Sequence, residues 1–209
     1  MTEPADSPVL YVLAGPNGAG KTTFFADFIA KSNLFVEQVN ADTLQAQHPH
    51  LTGFELTALA AARIEELRRQ RASFSIETNL ATEANYKPLR VATREGYLVR
   101  LLYIGLESVD LCQRRVRERV AKGGHNVPPA DIEHRYHNSL SLLKQHYREF
   151  EQIECLDNSA GTYQRVLLIT PTGVTRLAAP LSAWAEAVAQ HIELRARLFR
   201  PSLPQPPAE

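Results

Sequence analysis

Residues 10–25, LYVLAGPNGAGKTTFF, decide the fold of this chain. Four of them, Gly15, Gly20, Lys21 and Thr22, fit the phosphate-binding template GxxxxGK[ST]. An apolar strand enters this loop and a helical run leaves it, which is the context that the motif requires. Glycine reaches at little cost the backbone angles that turn N–H groups inward, and the helix N-terminus adds its dipole. The stretch therefore predicts a site for a nucleoside triphosphate.

The loop also assigns roles to individual side chains. Lys21 is expected to reach the β- and γ-phosphates as a mobile point charge, and the Thr22 hydroxyl to ligate Mg²⁺ held by the same oxygens. The residues expected to contact the nucleotide are Gly15, Pro16, Asn17, Gly18, Ala19, Gly20, Lys21, Thr22 and Thr23.

The composition is that of an ordinary globular protein. The chain has 209 residues, 44% of them hydrophobic and 22% charged, so we expect one domain over residues 1–199. Residues 200–209 contain four prolines and are expected to form a flexible tail. A net charge of zero makes nucleic acid an unexpected partner. Without a signal peptide or a membrane-length apolar run, and with two cysteines far apart in sequence, we expect a cytoplasmic protein that does not contact membranes.

Two carboxylates are expected at strand ends. Asp42 follows a predicted strand over residues 34–39, and Glu77 ends another over residues 73–77. The carboxyl ends of parallel strands meet at one edge of a sheet, where α/β proteins place their active sites. The alternative for Asp42 is a helix cap or turn residue, and for Glu77 a surface residue.

The remaining pattern predicts alternating helices and strands. Helices are expected over residues 53–70, 82–95, with an interruption at Pro88, and 180–199, and strands over residues 97–104, 152–156 and 165–170. We therefore predict an α/β protein, a three-layer P-loop NTPase of the nucleoside-kinase kind. Its sheet is expected to be mainly parallel, with about five strands.

A basic helical segment over residues 108–150 is expected to form a lid. Eight Lys or Arg stand against three Asp or Glu between residues 111 and 148, although the whole chain is neutral. Two helices joined by a Gly-Gly and Pro-Pro loop are typical of the lid that closes over a nucleotide and supplies arginines to the phosphoryl group. The alternative is a solvated helical face.

With these pieces in place, the chain resembles the zeta-toxin-like family of P-loop kinases. The matches extend from about residue 9 to residue 170, and the chain looks closest to the compact branch often labelled as predicted ATPases. The matching stretches are GPNGAGKTT (15–23), NAD (40–42), ETNL (77–80), RERVAKGGHNVP (117–128), RY (135–136) and DNS (157–159). The resemblance implies ATP and Mg²⁺ as cofactors, phosphorylation of a UDP-N-acetylhexosamine hydroxyl, and an antitoxin protein as partner.

The resemblance also implies site residues. Asp42 matches the general base on the acceptor hydroxyl, and Glu77 a carboxylate near the acceptor or magnesium. Arg119 and Arg135 match the lid arginines, with Arg117 as the nearby alternative. P-loop proteins of this kind normally carry a magnesium-organising aspartate on a third strand, and no clear apolar run in this sequence ends in one, so Glu77 or Asp42 is expected to serve that role too. The implied substrate-binding residues are Asp42, Glu77, Thr78, Asn79 and Arg117.

Two other reactions remain open at this point. A nucleotide-dependent ATPase would use lid closure to change its contact with a protein partner and would phosphorylate no acceptor. An RNA-end kinase would use the basic lid to hold a polynucleotide, and its binding would weaken steeply with salt.

Overall fold

The strand that leads into the P-loop lies inside the sheet, with parallel neighbours on both sides. A computed structural model describes residues 7–32 and 36–198, without the side chains of residues 28–32 and 41–42. The predicted tail, residues 200–209, lies outside the described residues. The strands are β1 (Val9–Ala14), β2 (Glu37–Val39), β3 (Phe74–Thr78), β4 (Leu98–Gly105), β5 (Gln152–Asp157), β6 (Gln164–Thr170) and β7 (Gly173–Arg176).

The helices fill the connections between these strands. They are α1 (Lys21–Ser32), α2 (Ala41–Gln47), α3 (Gly53–Arg69), α4 (Lys87–Arg94), α5 (Val109–Ala121), α6 (Pro129–His146) and α7 (Ala183–Leu198), with 3-10 turns at Glu83–Tyr86 and Tyr147–Glu149. In the described ranges no helix is long and apolar enough to cross a membrane.

The strands form one sheet in the order β2, β3, β1, β4, β5, β6, β7. The five strands from β2 to β5 in this order pair in parallel, which confirms the predicted mainly parallel sheet. Two parallel neighbouring strands cannot be joined by a tight turn, and the helices between the strands supply the long crossover connections that parallel pairing requires. β6 and β7 add an antiparallel edge, and β7 was not predicted from the sequence.

Apolar side chains cover both faces of the sheet. Leu10 and Val12 of β1 belong to one buried cluster, which includes residues of α4 and α7, and Leu13 belongs to a second with residues of α5 and α6. Helices therefore lie on both sides of the sheet, as the three-layer prediction requires. Cys112 and Cys155 are buried and form no disulfide.

Local signals set the helix boundaries around the lid. The Ser108 hydroxyl accepts a hydrogen bond from the Leu111 amide at 3.2 Å and caps α5. In the segment predicted as an interrupted helix, residues 82–95, the 3-10 turn Glu83–Tyr86 comes first and α4 then begins at Lys87. Pro88 lies in the first turn of α4, where proline is tolerated because its missing N–H has no partner within the helix. α5, α6 and the loop between them form the predicted lid segment.

Candidate active site

A cavity of about 740 Å³ lies at the carboxyl ends of the parallel strands. The P-loop and the residues after β2 and β3 form one wall, and the lid segment forms the opposite wall. The lining residues are Asn17, Gly18, Gly20, Lys21, Thr22, Thr23, Asn40, Glu77, Thr78, Asn79, Arg115, Glu118, Arg119, Lys122, Gly124, His125, Asn126, Val127, Pro128, Asp131 and Arg135. The structure therefore brings together most of the side chains that the sequence predicted for the site.

The P-loop has the tight geometry that its glycines predict. Gly15 adopts φ +138°, and a Cβ there would lie 2.0 Å from the Ile104 carbonyl oxygen of the neighbouring strand. Only glycine fits this contact, because any side chain would collide with backbone. α1 begins at Lys21, and Gly18, Gly20 and Lys21 line the cavity, so the N-terminal end of α1 lies at the cavity.

Lys21 is buried at the base of the cavity. Its Nζ donates hydrogen bonds to the carbonyl oxygens of Gly15 at 3.0 Å and Pro16 at 3.2 Å, and to Asn79 Oδ1 at 3.3 Å. Glu77 Oε1 lies 3.9 Å away. Burial lowers the pKa of Lys21, and the charge of Glu77 opposes this shift. A buried ammonium group in this position is stabilised when an anion enters the cavity.

Glu77 stands directly beside the P-loop threonine. Its Oε2 accepts hydrogen bonds from Thr22 Oγ1 at 3.0 Å and from Asn40 Nδ2 at 2.8 Å. The pairing of β3 with β1 sets this position, because Glu77 lies opposite Leu13 in register. The predicted convergence of Glu77 on the P-loop is therefore present in the structure, and Asn40 is a contributor that the sequence did not single out.

The oxygen atoms of Thr22 and Glu77 fit a magnesium ion. Hydroxyl and carboxylate oxygens are hard ligands of the kind that Mg²⁺ prefers. Among the described residues no group of three or more His, Cys, Asp or Glu side chains could hold a metal by itself. The two neighbouring oxygens of Thr22 and Glu77 suit a cation that takes its other ligands from phosphate oxygens and water, as Mg²⁺ does in nucleotide-binding proteins.

Asp42 is described through its backbone alone. α2 begins at Ala41, so Asp42 lies in the first turn of that helix, immediately after β2. Its backbone is therefore at the same sheet edge as Glu77. Its side chain lies outside the described residues, and its role as general base stays a prediction.

Two of the lid arginines chosen from the sequence reach the cavity. Arg119 Nη2 donates to the His125 carbonyl at 2.7 Å, and Arg135 Nη1 donates to Asn17 Oδ1 at 3.3 Å. The second bond joins the lid to the P-loop. Arg117 is exposed and does not line the cavity, so its role in substrate binding stays a prediction without support from its position.

Besides Asn40, the residues Arg115, Asn158 and Tyr163 were not chosen from the sequence as site residues. Arg115 lines the cavity, and its Nη2 donates to the Asn158 carbonyl at 2.7 Å. Asn158 and Tyr163 follow β5 and contact the back of the P-loop. The spacing of Arg115 and Arg119, four residues apart on a helix, is the sequence signal that could have identified the first of these.

Lys21→Met is expected to raise the free energy of unfolding of the ligand-free protein by about 1 kcal/mol, because methionine fills a similar volume without a buried charge. The folded chain binds fewer protons than the unfolded chain between the lowered pKa of Lys21 and its ordinary value of 10.5. The unaltered protein therefore gains stability as pH rises through this window, and the variant lacks that gain.

Urea unfolding of both proteins at about pH 7 and about pH 10 measures this difference, which should shrink at the higher pH. Lys87→Met, at an exposed lysine, is the control and should change stability little at either pH. A Lys21→Met variant that is less stable than the unaltered protein at pH 7 would contradict the expectation.

Solved structures and one curated relative share features with this chain. The PezAT toxin–antitoxin system of Streptococcus pneumoniae contains a chain with TM-score 0.58 and 17% identity, over 90% of this chain and 78% of that one. A chain of the AvrRxo1-ORF1:-ORF2 complex with ATP has TM-score 0.62 and 16% identity, over 98% of this chain and 67% of that one. An uncharacterized protein of Haemophilus influenzae is 26% identical over 128 residues, 58% of this chain and 88% of that protein.

A family-level comparison covers most of the chain. The sequence model described as zeta toxin matches residues 1–177, a range that includes the P-loop, both candidate carboxylates and the lid. This match confirms the resemblance inferred from the motifs. The chain belongs to the zeta toxin family.

Proposed function

We propose that this protein is an ATP-dependent kinase that transfers the γ-phosphoryl group to a hydroxyl of a small molecule. The observation that carries the proposal is the placement of charged side chains on both sides of one cavity. Lys21, Thr22 and Glu77 meet on the P-loop side, and Arg119 and Arg135 face them from the lid. Phosphoryl transfer requires positioning and charge neutralisation more than covalent chemistry by the protein, and these residues supply both.

The P-loop side holds the nucleotide. Loop amides and the α1 N-terminus bind the phosphate oxygens, and Lys21 exchanges its hydrogen bonds with the carbonyls of Gly15 and Pro16 for bonds to the β- and γ-phosphates. Thr22 and Glu77 would hold a magnesium ion. When bound, Mg²⁺ neutralises charge on the β- and γ-phosphate oxygens.

The lid side of the cavity acts on the phosphoryl group during its transfer. Arg119 and Arg135 stabilise the negative charge on the phosphoryl oxygens, and the lid excludes water from the cavity. Asp42 orients the acceptor hydroxyl and accepts its proton as the bond to phosphorus forms. Membership of the zeta toxin family supports this role for Asp42, and the position of its backbone beside β3 agrees with it.

The acceptor that we propose is a nucleotide sugar of the UDP-N-acetylhexosamine class, and an antitoxin protein is the proposed partner. Membership of the zeta toxin family supports both proposals. The excess of basic side chains on the lid suits an acceptor that itself carries phosphate groups. The similar PezAT structure comes from a toxin–antitoxin system, which supports a protein partner of this kind.

Mass spectrometry of a bacterial metabolite extract tests the proposed reaction. The extract is incubated with ATP, magnesium and either the unaltered protein, Lys21→Met or the control Lys87→Met. We expect a species heavier by one phosphoryl group with the unaltered protein and the control, and none with Lys21→Met, because the amine that contacts the transferred phosphate is gone. Release of ADP without any phosphorylated product would refute the kinase and support the ATPase alternative.

A further inference from the structure

The loop between β5 and β6 lies against the last two peptide groups of the P-loop. Asn158 Nδ2 donates a hydrogen bond to the Ala19 carbonyl at 2.9 Å, and Tyr163 Oη donates one to the Gly20 carbonyl at 2.8 Å. Asn158 is 5% exposed. The Tyr163 ring packs edge-on against Phe24 of α1, with 4.9 Å between ring centroids. Two side chains from a distant part of the chain therefore hold consecutive P-loop carbonyls.

Holding a carbonyl also fixes the direction of an amide. In a trans peptide the C=O and the following N–H point in opposite directions within one plane. The bond from Asn158 to the Ala19 carbonyl thus turns the Gly20 N–H to the opposite side, and the bond from Tyr163 to the Gly20 carbonyl does the same for the Lys21 N–H. Gly20 and Lys21 both line the cavity.

The Gly20 amide needs an external constraint more than the Lys21 amide does, because α1 also holds the Gly20 carbonyl. Gly20 has φ +86°, and glycine exchanges between several backbone conformations at small cost. The first ladder bond of α1 runs from the Phe24 amide to the Gly20 carbonyl, so the Ala19–Gly20 peptide precedes the part of the chain that helix geometry fixes. The contact is also close, because a Cβ on Gly20 would lie 2.6 Å from Tyr163 Oη and 2.9 Å from Asn158 Nδ2.

The lid holds the same loop from its other side. Arg115 Nη2 of α5 donates to the carbonyls of Asn158 at 2.7 Å and Ser159 at 3.3 Å. The Ser159 hydroxyl in turn accepts a bond from the Glu107 amide at 2.9 Å. The loop is therefore fixed between the lid helix and the P-loop.

We propose that Asn158 and Tyr163 are positioning residues that aim the Gly20 and Lys21 amides at the phosphates of the nucleotide. They act through the P-loop backbone and not by contact with the acceptor. The inference rests on the proposed function in one respect, since it takes the ligand of the P-loop to be a nucleoside triphosphate.

The test is Tyr163→Phe, which deletes one hydroxyl and keeps the ring packed on Phe24. Affinity for a fluorescent, non-hydrolysable ATP analogue is measured by titration, and tripolyphosphate is added as a competitor without a base. We expect both affinities to fall by about ten-fold, the loss of one directed hydrogen bond. Tyr97→Phe is the matched control, because the Tyr97 hydroxyl also donates to backbone carbonyls, those of Leu67 and Ala72, away from the cavity.

The control should lose similar thermal stability and keep full affinity for the analogue. Asn158→Leu, which removes the donor to the Ala19 carbonyl with a side chain of similar size and adds no charge, should weaken binding at least as much as Tyr163→Phe. Unchanged affinity in both site variants would overturn the inference alone. Weaker analogue binding with unchanged tripolyphosphate competition would also overturn it, because the residues would then act on the base. An unaltered chain that binds no ATP analogue would overturn the proposed function as well.

Discussion

Glu77→Gln is expected to lower the turnover number for phosphoryl transfer by roughly 10³-fold. Glu77 accepts hydrogen bonds from Thr22 and Asn40 and lies 3.9 Å from the Lys21 amine. Glutamine keeps the size of the side chain but removes its negative charge and replaces one of the two carboxylate oxygens with an NH₂ group, which only donates hydrogen bonds. The variant therefore loses the charged ligand proposed for magnesium while the surrounding packing is retained.

Steady-state rates at several magnesium concentrations measure the effect. The variant should also require more magnesium for half-maximal rate, which a change in packing alone would not cause. Glu65→Gln is the matched control, because Glu65 forms an exposed ion pair with Arg68 on α3. A Glu77→Gln enzyme with the rate and magnesium dependence of the control would contradict the assignment of Glu77.

The sequence predicted the central part of the fold because local patterns determine it. The apolar run that enters the P-loop is buried between parallel strands, and such runs are readable without a structure. β7 was missed because its four residues are half-buried or exposed and carry no apolar alternation. The edge strand exists because it pairs with β6, a contact that no local pattern in Gly173–Arg176 encodes.

The candidate site, like the fold, has one part that the local sequence predicts and another that it does not. The P-loop residues follow from a contiguous motif, but the bond between Thr22 and Glu77 joins residues 55 positions apart and depends on the register of β3 against β1. Asn158 and Tyr163 approach Ala19 and Gly20 across 139 and 143 residues. Contacts between residues so far apart in the sequence depend on the order of the strands in the sheet, and local periodicity does not predict that order.

The lid shows how helix geometry selects among similar residues. Arg115 and Arg119 are four positions apart and share one face of α5, whereas Arg117 lies about 200° around the helix from Arg115. Both Arg115 and Arg119 line the cavity, and Arg117 is exposed. The cluster of basic residues was visible in the sequence. Which of these residues can contact a phosphate depends on which face of α5 lines the cavity.

Arg135→Ala is expected to lower the turnover number by about 10³-fold or more, the range found for arginines that stabilise a phosphoryl group in transfer. Arg135 Nη1 donates to Asn17 Oδ1 of the P-loop at 3.3 Å, and its Nη2 lies 3.9 Å from Asp131 on the same helix. These contacts hold the guanidinium on the side of the cavity that faces Lys21. Because the charge is needed most in the transition state, the KM for ATP should change much less than the turnover number.

Arg135→Lys separates charge from geometry. Lysine keeps the positive charge but loses the planar fork that can bind two oxygens at once, so it should recover only part of the lost rate. Arg114→Ala removes an exposed arginine of α5 outside the cavity lining and should keep the rate of the unaltered protein. If Arg135→Ala turned over as fast as Arg114→Ala, the lid would act only as a cover. Full activity in Arg135→Lys would instead show that a point charge is sufficient, because the fork would then contribute nothing to the transition state.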